Sequence, residues 1–139
     1  MRKEITVTLE DGGESKSFKI RQMPATKSEQ FLFKVILLLG GKAEISKLND
    51  PMTLLASISD KPYDKIQELM DALLSCISRV NDGGIETQLT PENADGFVDE
   101  TMTLLKLRAE AFKINNFFRK GDETPNLTKF SDAVIKRRG

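Results

Sequence analysis

The sequence predicts an α+β fold that is predominantly α-helical, with an amino-terminal β-hairpin packed on a small bundle of about four helices. Two observations predict this class. Apolar and polar residues alternate on both sides of an early Gly-Gly turn, and most later apolar residues recur at helical spacing. At 139 residues, the chain is expected to form a single domain over 1–120, with the hairpin in 1–22. A tail with a short amphipathic helix follows at 121–139.

Two alternating segments predict the hairpin. Ile5, Val7 and Leu9 alternate with threonines before the turn, and Phe18 and Ile20 alternate with basic residues after it. A lone hairpin is marginal in water, so its apolar face is expected to pack on a helix or join another sheet.

The first helix is predicted from Thr26, which forms a capping box with Glu29, to the stop at Gly40-Gly41. Between Phe31 and Leu39 the only polar residue is Lys34, so the helix is apolar nearly all the way round. Such a helix is either sealed inside a core or pressed against another chain.

A second helix is predicted to begin at Asp50-Pro51 and a third at Pro62, the third extending to Val80. One arc of the third helix holds seven large apolar residues, namely Ile66, Leu69, Met70, Leu73, Leu74, Ile77 and Val80. Asn81-Asp82-Gly83-Gly84 is expected to end it. Ile85–Leu89 is expected to form a short strand that pairs with the hairpin.

The last long helix is predicted over about Phe97–Phe118, with two apolar faces separated by Arg108 and Asn115. Either it contacts two neighbours, one of which is another chain, or it is a central core helix whose Arg108 snorkels outward or pairs with a carboxylate. Beyond a break at residues 121–125, Leu127, Phe130 and Val134 form one narrow stripe. This tail either folds back on the body or is a docking peptide.

Composition argues against an enzyme. The chain has no histidine, a single cysteine, and 21 basic against 21 acidic residues. It lacks a phosphate-binding loop, a Cys-x-x-Cys pair and the ligand spacing of an EF-hand. Cys76 is expected to be a small buried filler. No catalytic, metal-binding or cofactor-binding residues are therefore predicted, and no cofactor is expected. Neither nucleic acid nor membrane is an expected partner, and the chain is expected to be a soluble intracellular protein.

The segment from Asn81 to Glu100 is acidic, with six carboxylates and no basic residue. It is either a solvated loop or a binding patch. As a patch, it is the only support for a small regulatory or immunity-type adaptor that binds one protein partner.

The segment KIRQMPATKSEQFLFKVILLLG, with the preceding EITVTLEDGG hairpin, resembles the amino-terminal part of tail assembly chaperones of long-tailed bacteriophages. The later segment TLLKLRAEAFKINNFFRKGDE is similar to their closing helix and charged end. The resemblance implies a chaperone that binds and solubilises the helical tape measure protein and helps to recruit tail tube subunits. It also implies action in the host bacterial cytoplasm and absence from the mature virion.

The alternative within the phage is a structural tail component that stays in the particle. Self-association is a further expectation. The apolar residues that we predict to bind a partner are Phe31, Phe33, Leu37, Leu107, Ile114, Phe118, Leu127, Phe130 and Val134. Leu37→Asp is expected to destroy solubility or assembly, because an ionised carboxylate in an apolar contact costs several kcal/mol.

Overall fold

The computed structural model describes residues 2–39 and 51–115. The elements are β1 (Glu4–Asp11), β2 (Glu14–Arg21), α1 (Ala25–Leu39), α2 (Pro51–Ser57), α3 (Tyr63–Leu74), β3 (Ile77–Val80), β4 (Glu86–Gln88), α4 (Ala94–Phe97) and α5 (Thr101–Asn115). The strands form one antiparallel sheet in the order β1-β2-β3-β4. The predicted α+β class and the amino-terminal hairpin are confirmed.

The hairpin turns at Gly12 and Gly13, whose φ angles are 61° and 86°. Positive φ at both central residues gives a turn with the twist that two paired strands need, and glycine adopts it without strain. The resulting register places Val7 opposite Phe18 and Ile5 opposite Ile20. The apolar side chains of both strands therefore share one face, as the alternation predicts.

The core lies between that sheet face and the helices. Helix α5 contacts β1, β2 and β3, while α2 and α3 pack on α5 and α1 packs on α3. The largest side chains sealed in this core are Phe18, Phe31, Ile20, Ile36, Leu39, Ile58, Leu69, Leu73, Leu74, Ile77 and Leu89. Neither the predicted predominance of helix nor the bundle of about four helices is confirmed. The hairpin is part of a four-stranded sheet, and among the described helices α5 makes the most extensive contact with that sheet.

The helix predicted over 62–80 is wrong in its last six residues, 75–80. Helix α3 ends at Leu74, and Ile77 and Val80 belong to β3. Ile77 pairs with Ile20, and Val80 pairs with Ser17. β-Branched residues at these positions fit a strand as well as a helical arc, and the open edge of β2 supplies the backbone partners that decide for the strand.

Other boundaries shift by smaller amounts. Helix α1 begins at Ala25, where the Ser28 N–H donates to the Pro24 carbonyl at 2.9 Å, so Thr26 lies inside the first turn and is not the cap. Helix α5 begins at Thr101, later than predicted. The strand expected near residues 85–89 is β4, which pairs with β3 and not with the hairpin. Asp50 and the tail helix lie outside the described residues.

Candidate protein-binding site

The joint between β2 and α1 is fastened to the sheet and to the end of α5. The Arg21 N–H donates to the Cys76 carbonyl at 2.9 Å, and the Met23 N–H donates to Asn115 Oδ1 at 2.8 Å. Asn115 Nδ2 donates to the Ala111 carbonyl at 2.7 Å and contacts the Cys76 sulfur at 3.6 Å. Met23 and Asn115 are both buried. Bonds inside the core therefore fix the point from which α1 leaves the sheet.

Replacing Asn115 with alanine is expected to lower the free energy of unfolding by about 1–3 kcal/mol, because the buried Met23 N–H loses its acceptor. Urea denaturation of the purified chain measures this loss. Lys113→Ala is the control, since Lys113 lies in the same helix turn with 61% of its side chain exposed. A loss equal to that of the control would show that Asn115 does not hold the joint.

The tip of the hairpin is held on the start of α5 by a buried ion pair. Lys16 Nζ donates to Asp11 Oδ2 at 2.6 Å, to Asp99 Oδ2 at 3.2 Å and to the Phe97 carbonyl at 3.3 Å. Asp11 also accepts the backbone N–H groups of Asp99 and Glu100, at 2.8 and 2.9 Å. The first backbone N–H groups of a helix have no acceptor within the helix. At the amino terminus of α5, the Asp11 side chain at the end of β1 provides one.

The surroundings of this pair set its protonation. Burial by itself raises the pKa of Asp11, but hydrogen bonds from Lys16, from the two backbone amides and from the Thr103 side chain outweigh burial and hold that pKa well below its usual range. The hydrogen bond to Asp11 raises the pKa of Lys16 against the effect of burial. Both groups therefore stay charged across the neutral range, and the hairpin tip stays attached to α5.

Gly12 brings the backbone of the tip close to the helix start. Its N–H donates to Glu100 Oε1 at 3.1 Å. A Cβ at this position would lie 2.7 Å from Asp99 Oδ2, closer than the two atoms can approach. The sheet, the joint and α5 are thus connected at both ends of the hairpin.

The sheet, the joint and α5, with the contacts that connect them, are called the frame below. Helix α1 leaves this frame at the joint and carries an exposed apolar stripe made of Phe33 and Leu37. These side chains are four residues apart, and so share a helix face, with exposed fractions of 41% and 47%. The opposite side of α1 is buried in the core through Phe31, Val35, Ile36 and Leu39. The helix is therefore neither sealed nor free all round, because one side packs inward and the stripe faces outward.

Open grooves adjoin the stripe and the joint. One groove, of about 550 Å³, is lined by residues of the joint and of α1, among them Met23, Leu32 and Phe33. A second, of about 310 Å³, lies between α1 and α3 and includes Lys27 and Lys34 on its α1 side. Surfaces of this shape give an incoming helix somewhere to place apolar side chains.

The residues predicted to bind a partner fall into three groups. Phe33 and Leu37 are exposed on α1, whereas Phe31, Leu107 and Ile114 lie in the core. Core packing accounts for the apolar character of these three without a partner. The remaining four, Phe118, Leu127, Phe130 and Val134, lie outside the described residues. Partner binding stays a prediction for this set, of whose described members Phe33 and Leu37 are the two that are exposed.

Sequence reasoning missed the polar residues that hold the frame together. The sequence does contain an indication that Lys16 is buried in an ion pair. Lys16 shares the apolar face of β2 with Phe18 and Ile20, so its charge needs a buried partner. Asn115 carries a weaker one, as a polar residue between two apolar helix faces. For Asp11 the sequence gives no such indication, since nothing local distinguishes it from an ordinary turn aspartate.

Half of the acidic segment is used inside the fold. Glu86 forms ion pairs with Arg21 at 2.9 Å and Lys19 at 3.6 Å, while Asp99 and Glu100 hold the hairpin tip. Arg108 on α5 is half-buried; burial lowers its pKa, and the charge of Asp71 opposes this effect. Structural contacts thus account for three of the six carboxylates, which weakens the support of this segment for an adaptor.

The described surface carries an apolar stripe and adjoining grooves on α1, a helix that is held by the core and by the joint. In residues 2–39 and 51–115, no group of three or more Cys, Asp or Glu side chains is arranged to hold a metal ion. Over the same ranges, no helix has the length and apolar character needed to cross a membrane.

Comparison with known families identifies the family of this chain. A family model described as phage tail assembly chaperone protein, TAC, matches residues 12–126. Searches of curated proteins and of solved structures found no match. Since the family model covers most of the sequence, the chain belongs to the phage tail assembly chaperone family.

Proposed function

We propose that this chain is a non-enzymatic chaperone that binds the helical tape measure protein of its phage, keeps it soluble and helps to recruit tail tube subunits. It acts in the host bacterial cytoplasm and is absent from the mature virion. The observation that carries this proposal is membership of the tail assembly chaperone family over residues 12–126.

The stripe of Phe33 and Leu37 is the proposed contact with the tape measure protein. A long helical partner presents apolar side chains at three- and four-residue spacing, and a stripe with the same spacing can pack against them. The groove beside Phe33, with Met23 and Leu32 in its wall, extends the apolar surface toward the joint. Each such contact removes apolar area from water on both partners.

The frame that holds α1 supports this role, because fewer residues have to become ordered when the partner binds. The inward side of the helix is packed in the core, and the joint at its start is held by the Met23–Asn115 hydrogen bond. A stripe that is already positioned loses little conformational entropy on contact, so more of the apolar gain appears as affinity.

The double variant Phe33→Asp/Leu37→Asp tests the surface. Co-expressed with the tape measure protein of the same phage, it is expected to leave that protein insoluble, because carboxylates facing an apolar contact cost several kcal/mol. Size exclusion with light scattering measures the complex. Met52→Asp is the matched control, since Met52 is an exposed apolar residue on α2, with an exposed fraction of 64%.

The control is expected to form the wild-type complex. A double variant that folds, as judged by circular dichroism, and still co-elutes with the tape measure protein would contradict the assignment of this surface. Mass spectrometry of purified virions tests the other half of the proposal, because a structural tail component would be found there and a chaperone would not.

A further inference from the structure

The outer edge of β1 carries backbone groups that β2 does not use. Within the described residues, β1 is an edge strand of the sheet. The two-residue turn closes on Asp11 and Glu14, so the odd-numbered residues of β1 direct their backbone groups to β2. The bond from the Gln22 N–H to the Lys3 carbonyl, at 2.8 Å, continues this alternation beyond the strand.

The even-numbered residues of β1, namely Glu4, Thr6, Thr8 and Glu10, therefore direct their N–H and C=O groups away from β2. All four are exposed. On the other face of the strand Ile5 is an apolar residue with an exposed fraction of 38%. An eight-residue edge without proline or a bulge is a template for another strand.

We infer that β1 pairs in antiparallel fashion with β1 of a second copy of this chain, about a two-fold axis at Thr6. A two-fold pairing joins the same edge of both copies, and side chains directly opposite each other lie on the same face. With the axis at Thr6, Arg2 lies opposite Glu10 of the second copy, and Glu4 lies opposite Thr8.

Charge selects this register over its neighbour. An axis at Val7 would place Arg2 opposite Gly12 and Glu4, which already pairs with Arg21 at 2.9 Å, opposite Glu10, so it would bring no opposite charges together on the face of the even-numbered residues. The Thr6 axis instead makes two Arg2–Glu10 pairs, one on each side. It also places Ile5 opposite Val7 of the second copy, which covers the exposed apolar side chain.

The pairing goes beyond the proposed function and uses different residues from the apolar stripe. Joined at β1, the two sheets would form one continuous sheet, and α1 would keep its position in each copy. A dimer would present two copies of Phe33 and Leu37, so one long helical partner would be held at two points.

A cysteine cross-link tests the axis on the purified chain alone, so that its result does not depend on the tape measure protein. In Thr6→Cys the two introduced thiols face each other, with Cα atoms about 5.5 Å apart, within disulfide range. Thr8→Cys is the matched control on the same strand and face. Its two copies lie four positions out of register, about 13 Å apart, which is too far. The native Cys76 is buried.

Under mild oxidation, Thr6→Cys is expected to run as a disulfide-linked dimer on a non-reducing gel, and Thr8→Cys as a monomer. Absence of the Thr6→Cys dimer, or equal yields from both variants, would overturn the inferred pairing.

A charge swap gives an independent readout. Arg2→Glu and Glu10→Arg are each expected to raise the dimer dissociation constant about tenfold, since the two-fold axis repeats each change. The double variant is expected to restore it, because both pairs re-form with reversed signs. Sedimentation equilibrium measures these constants. A wild-type chain that stays monomeric at all concentrations, or a double variant no tighter than either single one, would contradict the inference.

Discussion

Replacing Asp11 with alanine is expected to lower the free energy of unfolding by about 3–5 kcal/mol, the usual loss when one partner of a buried ion pair is removed. Asp11 is fully buried, and its carboxylate bonds Lys16 at 2.6 Å and two backbone amides of the α5 start. Without it, those amides lose their acceptor. Lys16 keeps only its longer contacts, with the Phe97 carbonyl and with Asp99, whose side chain is 63% exposed.

Urea denaturation of the wild type, of Asp11→Ala and of a control variant measures this loss. Glu14→Ala is the matched control, because Glu14 pairs with Asp11 across the turn but is exposed. The control is expected to change stability by less than about 0.5 kcal/mol. Equal effects for the two variants would show that the hairpin tip is not held by Asp11.

The same pair predicts how stability depends on pH. Because the folded chain lowers the pKa of Asp11, its contribution is present above the ordinary aspartate value of about 3.9 and is lost as pH falls below it. Because the pKa of Lys16 is raised, its contribution is present below about 10.4 and is lost as pH rises further. The stability difference between wild type and Asp11→Ala is therefore expected to be largest between about pH 5 and 9. A difference that stays constant from pH 7 down to 3 would contradict this account.

Val35→Asp is expected to prevent folding, whereas Leu37→Asp is expected to leave the fold intact. Val35 is sealed in the core with no exposed surface, and an ionised carboxylate there costs several kcal/mol, comparable to the whole stability of a small domain. Leu37 is 47% exposed on the opposite side of α1. This replaces the expectation from sequence that Leu37→Asp destroys solubility, which rests on burial all round the helix.

Circular dichroism and size exclusion of the two variants measure the contrast. Val35→Asp is expected in the insoluble fraction or without a cooperative thermal transition, and Leu37→Asp with the spectrum of the wild type. If both variants fail to fold, Leu37 is buried and the exposed stripe does not exist. If both fold, α1 does not pack through Val35.

Local pattern was enough to predict the hairpin and the first helix. Alternation fixed the face of Ile5, Val7 and Leu9, and Gly12-Gly13 fixed the turn, because both features act over a few residues. Pattern failed at Ile77 and Val80, which suit a helical arc and a strand equally. What decides between them is the edge of β2, a partner about sixty residues away in the chain.

The polar contacts of the frame could not be predicted for the same reason. Lys16 meets Asp99, and Met23 meets Asn115, across more than eighty residues of sequence. Periodicity assigns a residue to a face but does not say which face of another element it meets. In the apolar run of α1, periodicity could not separate buried from exposed residues. Its composition is nearly uniform, so only packing separates the core residue Val35 from the exposed Leu37.

The proposed function requires this chain to bind and solubilise a tape measure protein. The most direct test co-expresses the wild-type chain with the tape measure protein of its phage and measures the eluted species by size exclusion with light scattering. We expect a soluble complex with several copies of this chain per tape measure protein. A tape measure protein that precipitates while this chain elutes without it would contradict the claim.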